Sequence, residues 1–158
     1  MKKVILYFTL FFILSSCKKR EDSLPNFNLL LLDSTTILSS NKIPVGKPIV
    51  LFFFSPDCEH CQAETEAVLN NIDSLKNVRF YFATFDSMEK LKIFNEYYDL
   101  PKYKNIVLGR DYKFFLPRFY HITSTPYTAL YDSQKELKVA FIGETDASTM
   151  ITEIKRLN

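Results

Sequence analysis

The sequence has little of several residues that particular functions require. Only three glycines occur among 158 residues, at positions 46, 109 and 143, so no glycine-rich loop for phosphate can be built. Two histidines and three cysteines are few for a structural zinc site, which needs four ligands, and three cysteines are too few for an iron–sulfur cluster. Tryptophan is absent, and the net charge of +2 is too small to indicate a nucleic-acid partner.

The residues that are abundant indicate a folded domain. Hydrophobic residues make up 47% of the chain and charged residues 24%, which is typical of globular proteins and unlike disordered ones. Fifteen phenylalanines and nine tyrosines supply bulky packing. A chain of 158 residues is long enough for one domain with its own core.

The N-terminal residues predict export. A short basic start precedes eleven uncharged residues, Val4 to Leu14. This run is shorter than the roughly 20 residues that span a bilayer and is typical of a secretory signal peptide. The motif Leu-Ser-Ser-Cys that ends at Cys17 resembles the lipobox of bacterial lipoproteins, in which the chain is cut before the cysteine and the cysteine is acylated. We therefore expect a signal peptide over 1–16, lipidation of Cys17, a tether over 17–25, and an exported, periplasm-facing protein; an ordinary signal peptide or an uncut anchor is the alternative.

The pattern of apolar residues over 26–158 predicts alternating strands and helices. Strands are expected at Phe27–Leu32, Thr35–Leu38, Ile49–Phe54, Val78–Phe85, Asn105–Leu108, Tyr127–Tyr131 and Leu137–Ile142. Helices are expected at Cys58–Leu75, Met88–Tyr98, Pro117–Tyr120 and Asp146–Leu157. An N-terminal hairpin followed by β-α-β-α-β-α-β-β-α predicts an α/β fold, with a central mixed sheet and helices on both faces.

Cys58 and Cys61 lie where a buried strand is predicted to end and a helix to begin. The first turn of a helix has free N–H groups and partial positive charge, which stabilise a thiolate. We therefore expect Cys58 to attack first and Cys61 to resolve the mixed disulfide. If Cys17 is lipidated, these are the only cysteines left, and an oxidising compartment permits a disulfide between them. A purely structural disulfide is the alternative, although so small a loop would restrict the unfolded chain little.

Glu64 is the most informative residue outside the pair. Cys61, Glu64, Val68, Ile72 and Leu75 share one helix face, and the face is otherwise apolar. We expect burial to raise the pKa of Glu64, so that its carboxyl group takes the proton from Cys61 during exchange. The alternative is that Glu64 lies at the edge of the face and points to water.

Three further positions border the motif without settling its properties. His60, when protonated, would favour the thiolate and Glu59 would oppose it, so both tune the site and the direction of the redox potential stays open. Pro126 precedes an apolar strand. Only about 5–6% of X–Pro bonds in folded proteins are cis, so the sequence alone does not predict a cis bond there.

Together these segments resemble the thioredoxin superfamily, and most closely its TlpA/ResA-type membrane-tethered branch. The resemblance covers about 27–157 and rests on the segments Gly46–Phe54, Cys58–Cys61, Glu64 and Tyr120–Pro126. It implies a thioredoxin-like fold in which 87–110 form an inserted helix and strand. Where the family usually has tryptophan before the first cysteine, this chain has Asp57, which places an extra negative charge beside the nucleophile.

The resemblance also implies a function and a substrate-binding loop. Pro126 would be cis and lie beside Cys58, and Thr125 would offer its backbone to a bound peptide. The protein would be a thiol–disulfide oxidoreductase that reduces cysteines of exported proteins, for example apocytochrome c. A membrane thiol transporter would donate its electrons.

Two hypotheses that assign the protein to another functional class remain open. Cys58, Cys61 and His60 could hold a soft metal such as Cu(I), which would make the protein a copper chaperone. Such chaperones have a Cys-x-x-x-Cys spacing and a distant histidine, whereas this chain has Cys-x-x-Cys. His121 is the only candidate for the histidine. The other hypothesis is a degenerate thioredoxin-like protein that only binds a ligand, and the intact cysteine pair with Glu64 argues against it. We therefore expect neither a resident metal nor a cofactor.

Overall fold

A computed structural model describes residues 22–157. Its strands are β1 (Asn28–Leu31), β2 (Ile37–Ser39), β3 (Ile49–Phe53), β4 (Arg79–Thr84), β5 (Ile106–Arg110), β6 (Tyr127–Tyr131) and β7 (Leu137–Ile142). Its α-helices are α1 (Glu59–Asn70), α2 (Met88–Tyr97), α3 (Phe115–Phe119) and α4 (Ala147–Leu157). The predicted signal peptide and Cys17 lie outside the described residues.

The strands form one mixed sheet in the order β2-β1-β5-β4-β3-β6-β7. The central strands β3, β4 and β5 are parallel, and β6, β7, β1 and β2 are antiparallel to their neighbours. The predicted fold class is therefore confirmed, including the N-terminal hairpin β1–β2 and the inserted helix and strand α2–β5. The insertion places β5 between β4 and the hairpin.

Strand β3 joins two apolar layers because its side chains alternate between the faces of the sheet. Val50 and Phe52 pack with buried residues of α1, α2 and α4, whereas Ile49, Leu51 and Phe53 pack against the other face. All five residues of the strand are buried. Helices therefore lie on both faces, although the second face is covered by the short α3 together with non-helical segments such as the one around Phe27, Leu24 and Ile43.

Helix α1 ends at Asn70 rather than at the predicted Leu75. Asn71 leaves the helical conformation with φ −107° and ψ 3°, and its side-chain amide donates to the carbonyl of Ala67 at 2.9 Å. A short 3₁₀ helix then covers Ile72–Leu75. Asparagine side chains compete for backbone hydrogen bonds in this way, which explains the early end.

Two other boundaries differ from the prediction. Strand β5 continues through Gly109 to Arg110, where it pairs with β1. A Cβ at Gly109 would lie 2.8 Å from the Cβ of Leu29 and 3.3 Å from the Leu30 carbonyl oxygen, so glycine permits this close approach. Helix α3 begins two residues before Pro117, so that proline occupies the third position of the helix rather than the first. The first turn needs no N–H from that residue, and Asp111 accepts a hydrogen bond from the Leu116 amide at 2.7 Å.

The N-terminal residues that the structure describes are packed against the domain. Leu24 is buried, and its amide donates to the carbonyl of Lys135 at 3.0 Å. Ser23 forms an isolated bridge with Glu136 in the same turn. The part of the predicted tether that precedes these contacts is therefore 17–22. Within residues 22–157, no helix combines the length and apolar character that crossing a bilayer demands.

Candidate active site

The cysteine pair lies at the end of β3, where the chain turns into α1. The buried strand ends at Phe53, and Cys58 is the N-cap of the helix, with φ −85° and ψ 116°. The linking turn is held by two hydrogen bonds: the Cys58 amide donates to the Ser55 carbonyl at 3.1 Å, and the Gln62 side chain donates to the Pro56 carbonyl at 2.8 Å. The predicted junction of strand, motif and helix is thus present.

Cys58 is partly exposed, and its sulfur faces the start of the helix. The backbone N–H of Cys61 donates to the Cys58 sulfur at 3.4 Å. The Cys58 thiol in turn lies 3.8 Å from the carbonyl oxygen of Thr125, to which it donates. The start of the helix thus presents a backbone donor to the sulfur of the first cysteine.

Cys61 lies one turn farther along and is completely buried, with no exposed area. Both cysteines are free thiols. Burial raises the pKa of the Cys61 thiol to about 12, and its hydrogen bond with Cys58 acts in the same direction. A thiol with this pKa does not ionise by itself near neutral pH, so it needs a base before it can attack.

Glu64 is buried on the same helix face as Cys61, with an exposed fraction of 4%. Burial raises the pKa of its carboxyl group to about 7, against the lowering effect of a hydrogen bond from Thr128 and of the nearby Thr145 amide and His60. The Thr128 hydroxyl donates to Oε2 at 3.1 Å, while Oε1 has no hydrogen-bond partner among the described residues. The predicted burial of Glu64 is confirmed, and its role stays a proposal.

Glu64 separates a dry interior from an open groove. On one side it lines a small cavity, too narrow to admit water, together with Thr128 and apolar core residues. On the other side it lines an open groove between α1 and the loop that precedes α4. His60 and Glu144 lie across this groove with 3.4 Å between Nδ1 and Oε1, and both side chains are more than half exposed. Glu64 thus lies between the apolar interior and an open groove.

The loop before β6 brings Thr125 and Pro126 to the cysteines. The Thr125–Pro126 peptide bond is cis, as the family resemblance implied. Pro126 is buried, and its carbonyl accepts from the Gly143 amide at 2.8 Å. The Thr125 carbonyl oxygen accepts the hydrogen bond from the Cys58 thiol. The structure thus brings Thr125 next to the exposed sulfur, while binding of a substrate peptide there stays a proposal.

Asp57, which stands where the family usually has tryptophan, has a cationic partner. Asp57 forms an exposed ion pair with Lys90, which lies in the first turn of the inserted helix α2. Asp57 raises the pKa of Lys90 through this hydrogen bond and through charge. Glu59, which follows Cys58, is exposed in the first turn of α1. The acidic character beside the motif is therefore partly neutralised by the insertion.

Sequence reasoning missed three residues of this site: Thr128, Lys90 and Glu144. Thr128 left a signal, because it is a polar residue inside the otherwise apolar strand Tyr127–Tyr131, and a buried hydroxyl needs a partner. Lys90 and Glu144 contact the motif only through the tertiary fold, so no local pattern indicates them.

The arrangement offers little to a metal ion. Across residues 22–157, no group of three histidine, cysteine, aspartate or glutamate side chains is placed to hold a metal ion. His60 is directed to Glu144, and His121 is exposed in the loop before Thr125. The chemistry that the geometry supports best is thiol–disulfide exchange through Cys58 and Cys61.

Comparison with known families and structures agrees with this arrangement. The family described as a thioredoxin-like domain matches residues 43–158. The curated protein sequences gave no match. The fold, by contrast, recurs in many solved structures.

Three of these structures illustrate the likeness. DsbF of Mycobacterium tuberculosis, determined in mixed oxidised and reduced forms, is 22% identical with a TM-score of 0.68. A secreted M. tuberculosis disulfide oxidoreductase homologous to Escherichia coli DsbE is 18% identical with a TM-score of 0.69; each alignment covers 84% of this chain and 96% of the other. The exposed lipoprotein thioredoxin Etrx1 of Streptococcus pneumoniae is 19% identical with a TM-score of 0.63, over 84% of this chain and all of the other. At these identities the likeness establishes the fold.

Proposed function

The chain belongs to the thioredoxin-like domain family, and from this premise we propose that it is an exported, lipid-anchored thiol–disulfide oxidoreductase that works through Cys58 and Cys61. One observation carries the proposal: a partly exposed thiol caps a helix and receives an N–H, while a buried thiol follows one turn inside. That pairing suits a nucleophile and a resolving thiol.

The reaction begins at the exposed sulfur. The Cys58 thiolate attacks one sulfur of a substrate disulfide, forms a mixed disulfide and releases the first substrate thiolate, which takes up a proton. Thr125 lies beside the attacking sulfur, which supports the proposal that its backbone binds the backbone of the substrate. One substrate sulfur is now a thiol, and the other is held in the mixed disulfide with Cys58.

Release of the second substrate sulfur from the mixed disulfide requires the buried Cys61 thiol. Glu64, as a carboxylate, takes the proton of Cys61, and the resulting thiolate attacks the Cys58 sulfur. The second substrate sulfur leaves as a thiolate and is protonated, so the substrate is a dithiol and the protein holds a Cys58–Cys61 disulfide. A pKa of about 7 lets Glu64 act as a base near neutral pH and release its proton through the groove.

We propose the reducing direction and an exported location. The predicted lipobox at Cys17 and the likeness to a secreted oxidoreductase and an exposed lipoprotein support export. A protein in an oxidising compartment that reduces others must be recharged, so a membrane thiol transporter would return two electrons to the disulfide. Exported proteins whose cysteines must be reduced, such as apocytochrome c, would be the substrates.

The reduction potential of the Cys58–Cys61 pair tests the direction. The protein is equilibrated in thiol buffers of defined potential, and free thiols are counted by mass spectrometry after alkylation, because the chain has no tryptophan to report by fluorescence. We expect a value near or below about −250 mV, close to that of thioredoxin. A value of about −120 to −180 mV would assign an oxidase or isomerase instead. Failure to form any reversible disulfide would reject the oxidoreductase.

A further inference from the structure

The chain joins the domain at the end of the sheet opposite to the cysteines. Leu24 and Ser23 contact the turn between β6 and β7. Strand β6 ends at Tyr131, which pairs with Ile49, the first residue of β3, whereas the cysteine motif follows the last residue of that strand. The five-residue strand at about 3.3 Å per residue separates the two ends by roughly 17 Å.

A short tether would keep this end near the membrane. This step rests on the proposed function, in which Cys17 carries the lipid. Five residues separate Cys17 from Ser23, which makes six steps along the chain, and an extended chain reaches at most about 3.6 Å per step. The end of the domain that holds Ser23 and Leu24 would therefore stay within roughly 20 Å of the lipid surface.

The same end carries a basic groove, which we define by Lys47, Lys76, Lys102 and Lys104. These four lysines line one shallow depression with Asp73 as its acidic residue. Lys76 pairs with Asp73 at 2.8 Å and Lys102 with Asp99 at 3.2 Å. Within residues 22–157, Lys47 and Lys104 form no ion pair, so the groove keeps a net positive charge.

Backbone contacts fix the basic groove at the tether end. Lys47 follows Gly46, whose amide donates to Ser133 in the β6–β7 turn at 2.8 Å, and precedes the start of β3. Lys104 precedes Asn105, whose carbonyl receives the Phe80 amide at the start of β4. Lys47 and Lys104 thus lie beside the starts of the parallel strands, at the same end of the sheet as Ser23 and Leu24.

The charges beside the cysteines have mostly the opposite sign. Asp57, Glu59 and Glu144 are exposed around the motif, with Lys90 as the cation paired to Asp57. An anionic surface would attract the basic groove and repel this rim. The attraction acts over about 8 Å at physiological ionic strength, within the reach of a docked domain.

We propose that the basic groove rests on anionic phospholipid headgroups of the membrane that holds the anchor, so that Cys58 faces the aqueous compartment. Lysine ammonium groups at the surface contact lipid phosphates, and the tether keeps them at high local concentration. The orientation leaves the partly exposed Cys58 sulfur and the Thr125 loop open to soluble substrates.

Single tryptophans can report the orientation, because the chain has none. Tyr103→Trp places the reporter in the basic groove, and Phe85→Trp places it directly after β4 at the cysteine end, where Phe85 is 45% exposed. The full-length lipidated protein is reconstituted in vesicles of phosphatidylcholine alone or mixed with phosphatidylglycerol, each with brominated acyl chains that quench nearby tryptophan. We expect strong quenching at position 103 in the mixed vesicles and little at position 85.

Charge reversal then identifies the lysines. Lys47→Glu with Lys104→Glu, or high salt, should remove most of the quenching at position 103, whereas the matched pair Lys92→Glu with Lys113→Glu should leave it unchanged. Equal quenching at both positions, stronger quenching at position 85, or no dependence on phosphatidylglycerol would overturn the proposal. Mass spectrometry of Cys17 and flotation with the vesicles test the anchor separately, so failure of the anchor is distinguishable from failure of the orientation.

Discussion

Cys58 and Cys61 are separated by one helical turn, yet the protein gives them different surroundings. Cys58 is partly exposed at the helix N-cap, receives an N–H from the first turn and faces the Thr125 carbonyl. Cys61 has no exposed area, and burial raises its pKa to about 12. Two identical side chains thus acquire different chemistry from their position at a helix terminus.

The contrast gives a physical reason for our proposal that Glu64 serves the second cysteine and not the first. An exposed thiol exchanges protons with water, but a buried one needs an internal acceptor. Glu64 lies on the same helix face as Cys61, and its own burial raises its pKa to about 7, high enough for a base that must also release its proton near neutral pH. In the proposed mechanism, burial both creates the need for a base at Cys61 and raises the pKa of the carboxyl group that would serve as one.

Removing the exposed thiol should have the largest effect. We expect Cys58→Ser to lower turnover of a disulfide substrate by about 10³-fold or more, since the nucleophile itself is lost. Steady-state reduction of insulin disulfides measures the effect. The melting temperature should stay unchanged because the side chain is partly exposed. Substantial remaining turnover would mean that Cys61 also attacks from solvent.

Removing the buried thiol should stop turnover at a later step. We expect Cys61→Ser to attack once and then accumulate about one equivalent of mixed disulfide at Cys58, because nothing resolves it. Mass spectrometry of the non-reduced protein detects the adduct. Cys58→Ser is the matched control and should trap no substrate. An adduct of equal yield in that control would abolish the proposed division of labour.

Removing the base should slow resolution without stopping it. We expect Glu64→Gln to reduce the resolution rate by about 10²-fold at pH 8 and to flatten its rise between about pH 6 and 8. Stopped-flow decay of a preformed mixed disulfide measures this step. Glu66→Gln is the control, since it makes the same change on the exposed side of α1. A profile equal to that of the unmodified protein would remove Glu64 from the mechanism.

The same substitution should change stability in a direction set by linkage. Folding raises the pKa of Glu64 from 4.5 to about 7. Below pH 4.5 the Glu64 carboxyl group is protonated in both the folded and the unfolded protein. Between pH 4.5 and 7 it ionises in the unfolded protein but not in the folded one. The free energy of unfolding therefore falls as pH rises, by at most about 3 kcal/mol. We expect Glu64→Gln to remove this loss, so its advantage in the free energy of unfolding should grow from pH 4 to pH 8 in denaturant titrations. An advantage that is constant with pH would contradict the raised pKa.

Much of this site was predictable from local pattern. The apolar run Ile49–Phe54 predicted a buried strand, and the helical spacing from Cys61 to Val68 predicted that Glu64 is buried. These features follow from the run length and spacing of apolar residues, which are properties of a single element. The end of α1 was wrong by five residues, because Asn71 breaks the helix without a glycine or proline to signal it.

Contacts between distant elements could not be predicted in this way. Strand β5 extends through Gly109 because β1 packs against it, and the Asp57–Lys90 pair depends on how the inserted helix docks. No residue near Asp57 in the sequence specifies that partner. Thr128 lies between these cases, since its polarity within β6 is local but its contact with Glu64 spans 64 residues.

The smallest effect should come from that last contact. The Thr128 hydroxyl donates to Glu64 Oε2 at 3.1 Å and lowers the pKa of the carboxyl group. Thr128→Val keeps the shape and removes the donor, so the pKa should rise further, and resolution at pH 7 should slow about two- to fivefold. The midpoint of the resolution rate against pH measures the shift, with Thr152→Val on the exposed side of α4 as control. A downward shift would mean that the hydroxyl stabilises the protonated acid, and that the buried carboxyl group is held as a donor until Cys61 reacts.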